Sequence, residues 1–175
     1  MFRVVGAAGA EFGRVLHPDG ERALTPWIGT DWRAYEPIDV ALVGEDGARV
    51  LTRSDAPSLG SSLFLFRSRA RQVMAESLSR HGVWLPVRCP DADLQLFGVT
   101  TLLDALDPER SEVHAYGVDI VAVFEHVLRR DRVGGATVFG VLDDPTSPTF
   151  VDQRFVNRWN QAGFVGLEFA RVELA

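Results

Sequence analysis

Lysine is absent from this chain, and all 18 basic residues are arginine. That excludes a Schiff-base lysine and the lysine of a phosphate loop. Cysteine is nearly absent too. Cys89 stands alone, so no internal disulfide can form, and a reducing, cytoplasmic compartment is expected. Long apolar runs are missing: residues 120–124 form one of the longest, against roughly 20 for a membrane-spanning helix. The opening Met-Phe-Arg-Val-Val-Gly lacks a basic region followed by a long apolar core, so no secretion signal is expected. His17, His81, His114 and His126 are scattered, with no pair at i, i+2 or i, i+4. A zinc site needs three or four compactly spaced ligands, so neither metal nor cofactor is expected. No Gly-x-Ser-x-Gly elbow occurs, and Cys89 before Pro90 reads as a small apolar residue rather than a thiolate.

What is present is an ordinary globular composition, 46% hydrophobic and 24% charged. A chain of 175 residues can bury about 70% of its unfolded surface as one domain. The charge is unevenly spread. From Asp91 to Glu125 there are eight acidic residues against one base, Arg110. From Arg67 to Arg88 the balance reverses, with Arg67, Arg69, Arg71, Arg80 and Arg88 against Glu76. A net charge of −6 disfavours nucleic-acid binding, which needs a basic face, and suits a partner that is itself basic.

The organisation is clearest near the C-terminus. Apolar residues 138–142 and 149–151 flank a polar, proline-bearing gap that reads as a hairpin loop. Asp152 stands where a helix N-cap belongs. Phe155, Val156, Trp159 and Ala162 follow at helical spacing, Gly163 supplies a stop, and residues 164–174 return as a strand. The same order is expected midway: strand 63–66, Ser68 as N-cap, a helix ended by Gly82, with His81 facing its dipole, and strand 83–87. Elsewhere, residues 2–5 and 94–100 read as strands, and 38–43 with 48–51 as a hairpin. Residues 102–106 read as a short helical or turn segment. Residues 120–128 fit a helix by spacing but a strand by β-branched content, and strand is preferred. Gly6, Gly9 and Gly13 match no phosphate-loop pattern and read as a turn. The expected class is α+β, a mostly antiparallel sheet with two main helices packed on it.

The closing register is distinctive: Val138-Phe-Gly-Val141, loop, Thr149-Phe-Val-Asp152, a ten-residue helix, then Gly163-Phe-Val-Gly-Leu-Glu-Phe169. It resembles the closing block of a family of bacterial immunity proteins encoded beside polymorphic or contact-delivered toxins, typified by a myxobacterial nuclease-immunity protein. Leu63-Phe-Leu-Phe-Arg-Ser-Arg-Ala70 and Leu103-Asp-Ala-Leu-Asp-Pro-Glu-Arg-Ser111 are similar to further stretches of that family. Asp31-Trp32 and Glu36-Pro37-Ile38 match its opening loosely. The likeness is best over 57–175, leaving 1–56 as a more variable portion of the single domain 1–175.

The resemblance implies a cytoplasmic, non-enzymatic protein that occludes a cognate toxin, a basic nuclease. The residues expected to face that toxin are the acids Asp104, Asp107, Glu109, Glu112, Asp119, Asp143 and Asp144. Solvated loop charge is the bland alternative for each of them. At the level of function the alternatives are a toxin-delivery adaptor and a small enzyme whose site is assembled from residues remote in sequence.

Overall fold

A computed structural model describes residues 1–16, 35–60, 63–116, 119–142, 144 and 147–175. The expectations placed on His17, Asp31-Trp32 and Asp143 lie outside these described residues.

The architecture follows from apolar runs that do not alternate. Residues 63–66, Leu-Phe-Leu-Phe, are all buried in the strand Leu63–Arg67. A strand with one wet face alternates apolar and polar residues, whereas an unbroken run needs cover on both faces. Leu63 and Leu65 join a cluster with Leu94 and Leu96, while Phe64 and Phe66 join another with Met74 and Trp159. The run 138–141 is divided in the same way. Val138 enters the Trp159 cluster, and Phe139 and Val141 enter a third with Leu106 and Phe150. Two sheets thus each separate two hydrophobic clusters, and the Trp159 cluster is common to both.

The larger sheet runs Val40–Val43, Phe12–Val15, Ser58–Leu59, Leu63–Arg67, Leu94–Val99, Gly82–Pro86. The other runs Leu102–Leu103, Val138–Val141, Phe150–Val151, Phe2–Gly6, Leu167–Arg171. Each contains one parallel pairing, Phe12–Val15 with Ser58–Leu59 and Leu102–Leu103 with Val138–Val141. Three two-stranded ribbons complete the strands, including the antiparallel hairpin of Glu112–Tyr116 with Asp119–Glu125. The helices are α1 (Ser68–Leu78), α2 (Arg130–Val133) and α3 (Gln153–Gln161).

The expected α+β arrangement is therefore corrected. The described residues are mostly β, 46% strand against 16% helix, with several sheets and three short helices among them. One sheet carrying two helices could cover only one set of apolar faces. The runs at 63–66 and 138–141 require two sheets and three clusters.

The C-terminal block forms as its residues dictate. Val138 and Phe139 pair antiparallel with Val151 and Phe150. The Asp152 carboxylate accepts from the Phe155 amide at 3.0 Å, satisfying one free donor of the first turn of α3. Gly163 adopts the left-handed φ of 66° that ends the helix. The return is broken in two: Leu167–Arg171 pairs along the whole of Phe2–Gly6, and Glu173–Leu174 runs parallel to Val127–Leu128. Trp159 is 1% exposed. Its ring lies 5.0 Å from Phe164 and edge-on to Phe66 at 6.4 Å.

Other segments differ from expectation. Ser68 is the first residue of α1 rather than its cap; the cap position is Arg67, without a side-chain bond. The Ser68 hydroxyl instead meets Asp93. The helix ends at Leu78, so Gly82 opens the next strand and His81 lies beyond the helix, its Nδ1 3.3 Å from the Thr101 hydroxyl. Burial lowers the His81 pKa from 6.5. Residues 102–103 form a strand, not a helical turn. Val40–Val43 pairs with Phe12–Val15, and the local hairpin shrinks to Glu45–Asp46 with Arg49–Val50. Residues 119–125 and 127–128 are strands, as β-branching indicated.

Candidate functional site

The acidic stretch is distributed among distinct structural roles. Arg129 donates to the Asp104 carboxylate at 2.6 Å and to its carbonyl at 2.9 Å. Asp107 is half-buried and accepts from the amides of Glu109 and Arg110 at 3.2 and 3.3 Å, closing a turn on itself. Ser111 then fastens that turn to the neighbouring segment, its hydroxyl accepting from the Val127 amide at 2.9 Å. Arg110 is held by Glu173. Asp104 and Asp107 are therefore committed largely to holding residues 104–111 in place.

Glu109, Glu112 and Glu125 are different. All three are exposed, and their carboxylates have no ion-pair partner among the described residues. Glu112 and Glu125 stand directly opposite one another at the base of the Glu112–Tyr116/Asp119–Glu125 hairpin. Like charges facing across a strand pair are unfavourable. Asp119 is placed at the far end, paired with Tyr116. At the base lies a cleft of about 340 Å³ lined by Arg3, Glu112, Phe124, Glu125, Arg171 and Glu173.

Asp144 does not reach this surface. It is 2% exposed, and its Oδ2 lies 2.9 Å from His126 Nε2, with the two side chains 1% and 4% exposed. A carboxylate-oriented histidine is half of a nucleophile-activating triad. Here, however, the other ring nitrogen has no hydrogen-bond partner among the described residues, so none of their hydroxyls or thiols stands where a nucleophile would. The ring instead packs edge-on to Phe150 at 5.1 Å. The pair ties Asp144 to His126 inside the fold, and Asp144 leaves the set of residues a partner could touch.

The arginine-rich run is also partly consumed. Arg67 braces Glu11 at 2.5 Å and the Ser54 carbonyl at 2.9 Å. Arg69 donates to the Ala162 carbonyl and lies over the Phe164 ring at 4.8 Å. Arg88 pairs with Asp39 at 2.7 Å, which holds that carboxyl below its usual range. Much of this basic run is thus spent on internal contacts, while Glu109, Glu112 and Glu125 are left available.

Sequence reasoning missed the hairpin's apolar residues. Tyr116, Val121 and Phe124 are 83%, 48% and 63% exposed, although Ile120 and Val123 of the same strand pack on a cluster beneath. The signal that could have found them is the company they keep. They stand in a stretch of eight acids to one base, where a buried strand would be flanked by turns rather than charge.

Among the described residues no three His, Cys, Asp or Glu side chains cluster to hold a metal ion. No described helix is long and apolar enough to cross a membrane. No curated protein matches the chain. A hairpin that presents acid and aromatic side chains to solvent suits recognition of a partner. In agreement, residues 24–173 match the model of the immunity protein family Imm11, and the chain belongs to that family.

Proposed function

We propose that this immunity protein neutralises its cognate toxin by occluding it, with no reaction of its own, and that the toxin is a nuclease with a basic substrate groove. The family match over residues 24–173 carries the immunity reading. The choice of a basic partner is supported by the net charge of −6 and the concentration of exposed acid at Glu109, Glu112 and Glu125. Opposed charge speeds encounter, bringing association towards about 10⁸–10⁹ M⁻¹s⁻¹ at low salt. Nuclease–immunity pairs of this kind reach extreme affinity.

The proposed surface keeps Asp104, Asp107, Glu109, Glu112 and Asp119 and adds Glu125. Its roles are graded: Asp104 and Asp107 shape the turn, and Glu109, Glu112 and Glu125 meet the toxin. The test is co-expression with the toxin encoded beside this gene. The parent chain should rescue growth. A Glu109→Arg/Glu112→Arg/Glu125→Arg variant should keep its fold, associate more slowly and lose protection. Should that variant protect as well as the parent, the interface lies elsewhere, and the surface of Arg71 on α1 with Arg80 just beyond its end becomes the next candidate.

A further inference from the structure

The hairpin's outward apolar residues arise from two breaks in its ladder. Glu125 pairs with Glu112 and Val123 with Val113, so Phe124 is skipped. Ala122 pairs with His114 and Ile120 with Ala115, so Val121 is skipped. Each is the extra residue of a β-bulge, a device that re-aims side chains. Ile120 and Val123 both pack on the cluster around Leu106 and Phe139. Three residues apart, they would point to opposite faces of an unbulged strand. The bulges thus give the strand one buried set, Ile120 and Val123, and leave Val121 and Phe124 in water.

Exposed aromatic residues with an acidic surround narrow the kinds of partner. Phe124 lines the same cleft as Glu112, Glu125 and Glu173, whose three carboxylates outnumber the two guanidinium groups of Arg3 and Arg171 there. An anionic membrane surface repels such a site. A symmetric pair of copies sets the same patch against itself, so the carboxylates that already oppose each other within one hairpin would meet two more. A protein surface with an apolar socket and an arginine or lysine rim satisfies both features. It supplies cations to Glu112 and Glu125, and it removes Phe124 from water. Aromatic side chains at the centre of an interface, ringed by polar groups, are the usual location of binding hot spots.

We infer that the hairpin of Glu112–Tyr116 with Asp119–Glu125 is the anchoring element of the toxin interface, with Phe124 at its base seated in an apolar socket, Glu112 and Glu125 pairing with the basic rim of that socket, and Tyr116 at the far end making a second apolar contact. This rests on the immunity reading. It adds that affinity resides in the aromatic residues, while the acids govern the rate of encounter.

The test uses the intact chain and a catalytically inactivated toxin domain encoded beside its gene, with binding kinetics measured at low and high salt. Phe124→Ser/Tyr116→Ser should weaken binding by about 30-fold or more, chiefly through faster dissociation, with an unchanged melting temperature. Glu112→Gln/Glu125→Gln should slow association and flatten its salt dependence. If the parent chain binds and protects while the aromatic variant binds within about threefold of it, the inference fails and the immunity reading stands. If the parent neither binds nor protects, the immunity reading falls and takes this inference with it. If sedimentation shows the parent as a dimer that Phe124→Ser converts to a monomer, the face joins two copies, and the inference is overturned.

Discussion

The C-terminal block from Val138 and the hairpin from Glu112 to Glu125 are built from similar residues and use them in opposite ways. Both carry aromatic and β-branched side chains on short antiparallel strands. In the block these turn inward: Val138, Phe139, Phe150, Val151, Phe155 and Trp159 are all buried. In the hairpin Tyr116, Val121 and Phe124 turn outward. The difference lies in what is available to cover them. The strands Val138–Val141 and Phe150–Val151 sit inside a sheet with a cluster on either face. Among the described residues the hairpin pairs only within itself and has one cluster beneath it, so Tyr116, Val121 and Phe124, aimed away from that cluster, are exposed. Apolar sequence specifies burial only where a second layer exists.

The largest effect is expected where both layers converge. Trp159→Ala removes the ring that contacts Phe66, Phe155 and Phe164 and should cost about 3–5 kcal/mol. Thermal or urea unfolding measures it. An unchanged midpoint would mean that the block tolerates a void as the hairpin tolerates exposure, and the comparison would collapse.

Gly166→Ala should come next. The residue has φ 103°, and a Cβ there would stand 1.7 Å from the Ser54 hydroxyl oxygen. The backbone conformation alone costs about 1–3 kcal/mol for a non-glycine residue, and displacing Ser54 adds to it. The joint it disturbs is where the Asp55 amide donates to the Val165 carbonyl at 2.9 Å. Gly47→Ala, also at positive φ but with open space around it, is the control that separates strain from collision.

Asp152→Ala should cost about 1 kcal/mol through the lost cap on Phe155. Asp152→Asn, which retains an acceptor oxygen, should restore most of it.

A smaller effect is expected from His81, and its sign is fixed. Its pKa in the folded chain is lowered from 6.5, mainly by burial. The unfolded chain therefore binds the proton more readily, so this contribution is present above pH 6.5 and is lost as pH falls below it. His81→Gln should flatten the acid limb of the stability profile and leave neutral stability nearly unchanged. A steeper limb would show that other groups dominate.

The sequence disclosed much of the block because its signals are local. A cap at Asp152, helical spacing through Trp159 and a stop at Gly163 each act within a few residues. The sheet partners were not legible, because pairing Phe2–Gly6 with Leu167–Arg171 joins the two ends of the chain, and no local pattern encodes that. Even so, the unbroken Leu63-Phe-Leu-Phe run did hold a readable demand for cover on both faces. Of the candidate acids, Glu109 and Glu112 are exposed and have no ion-pair partner among the described residues. Asp144 is drawn inside because a histidine 18 residues away in sequence lies 2.9 Å from it. Ile120 and Val123 fit a helix by spacing for a physical reason: a bulge lets two strand residues three apart share one face.

A difference between two neighbouring residues is the sharpest test of the comparison. Val123 and Phe124 are neighbours in one strand, yet the bulge assigns Val123 to the cluster beneath and Phe124 to solvent at 63% exposure. Hydrophobicity alone predicts that losing the larger residue costs more. The geometry predicts the reverse. Val123→Ser should cost about 1 kcal/mol from lost partial burial, while Phe124→Ser should stay within about 0.5 kcal/mol of the parent, as surface substitutions do. Equal or inverted costs in urea unfolding would show that the strand runs without its bulge, with Phe124 inside. The hairpin would then be a continuation of the core, and the toxin would have to be recognised by charge alone.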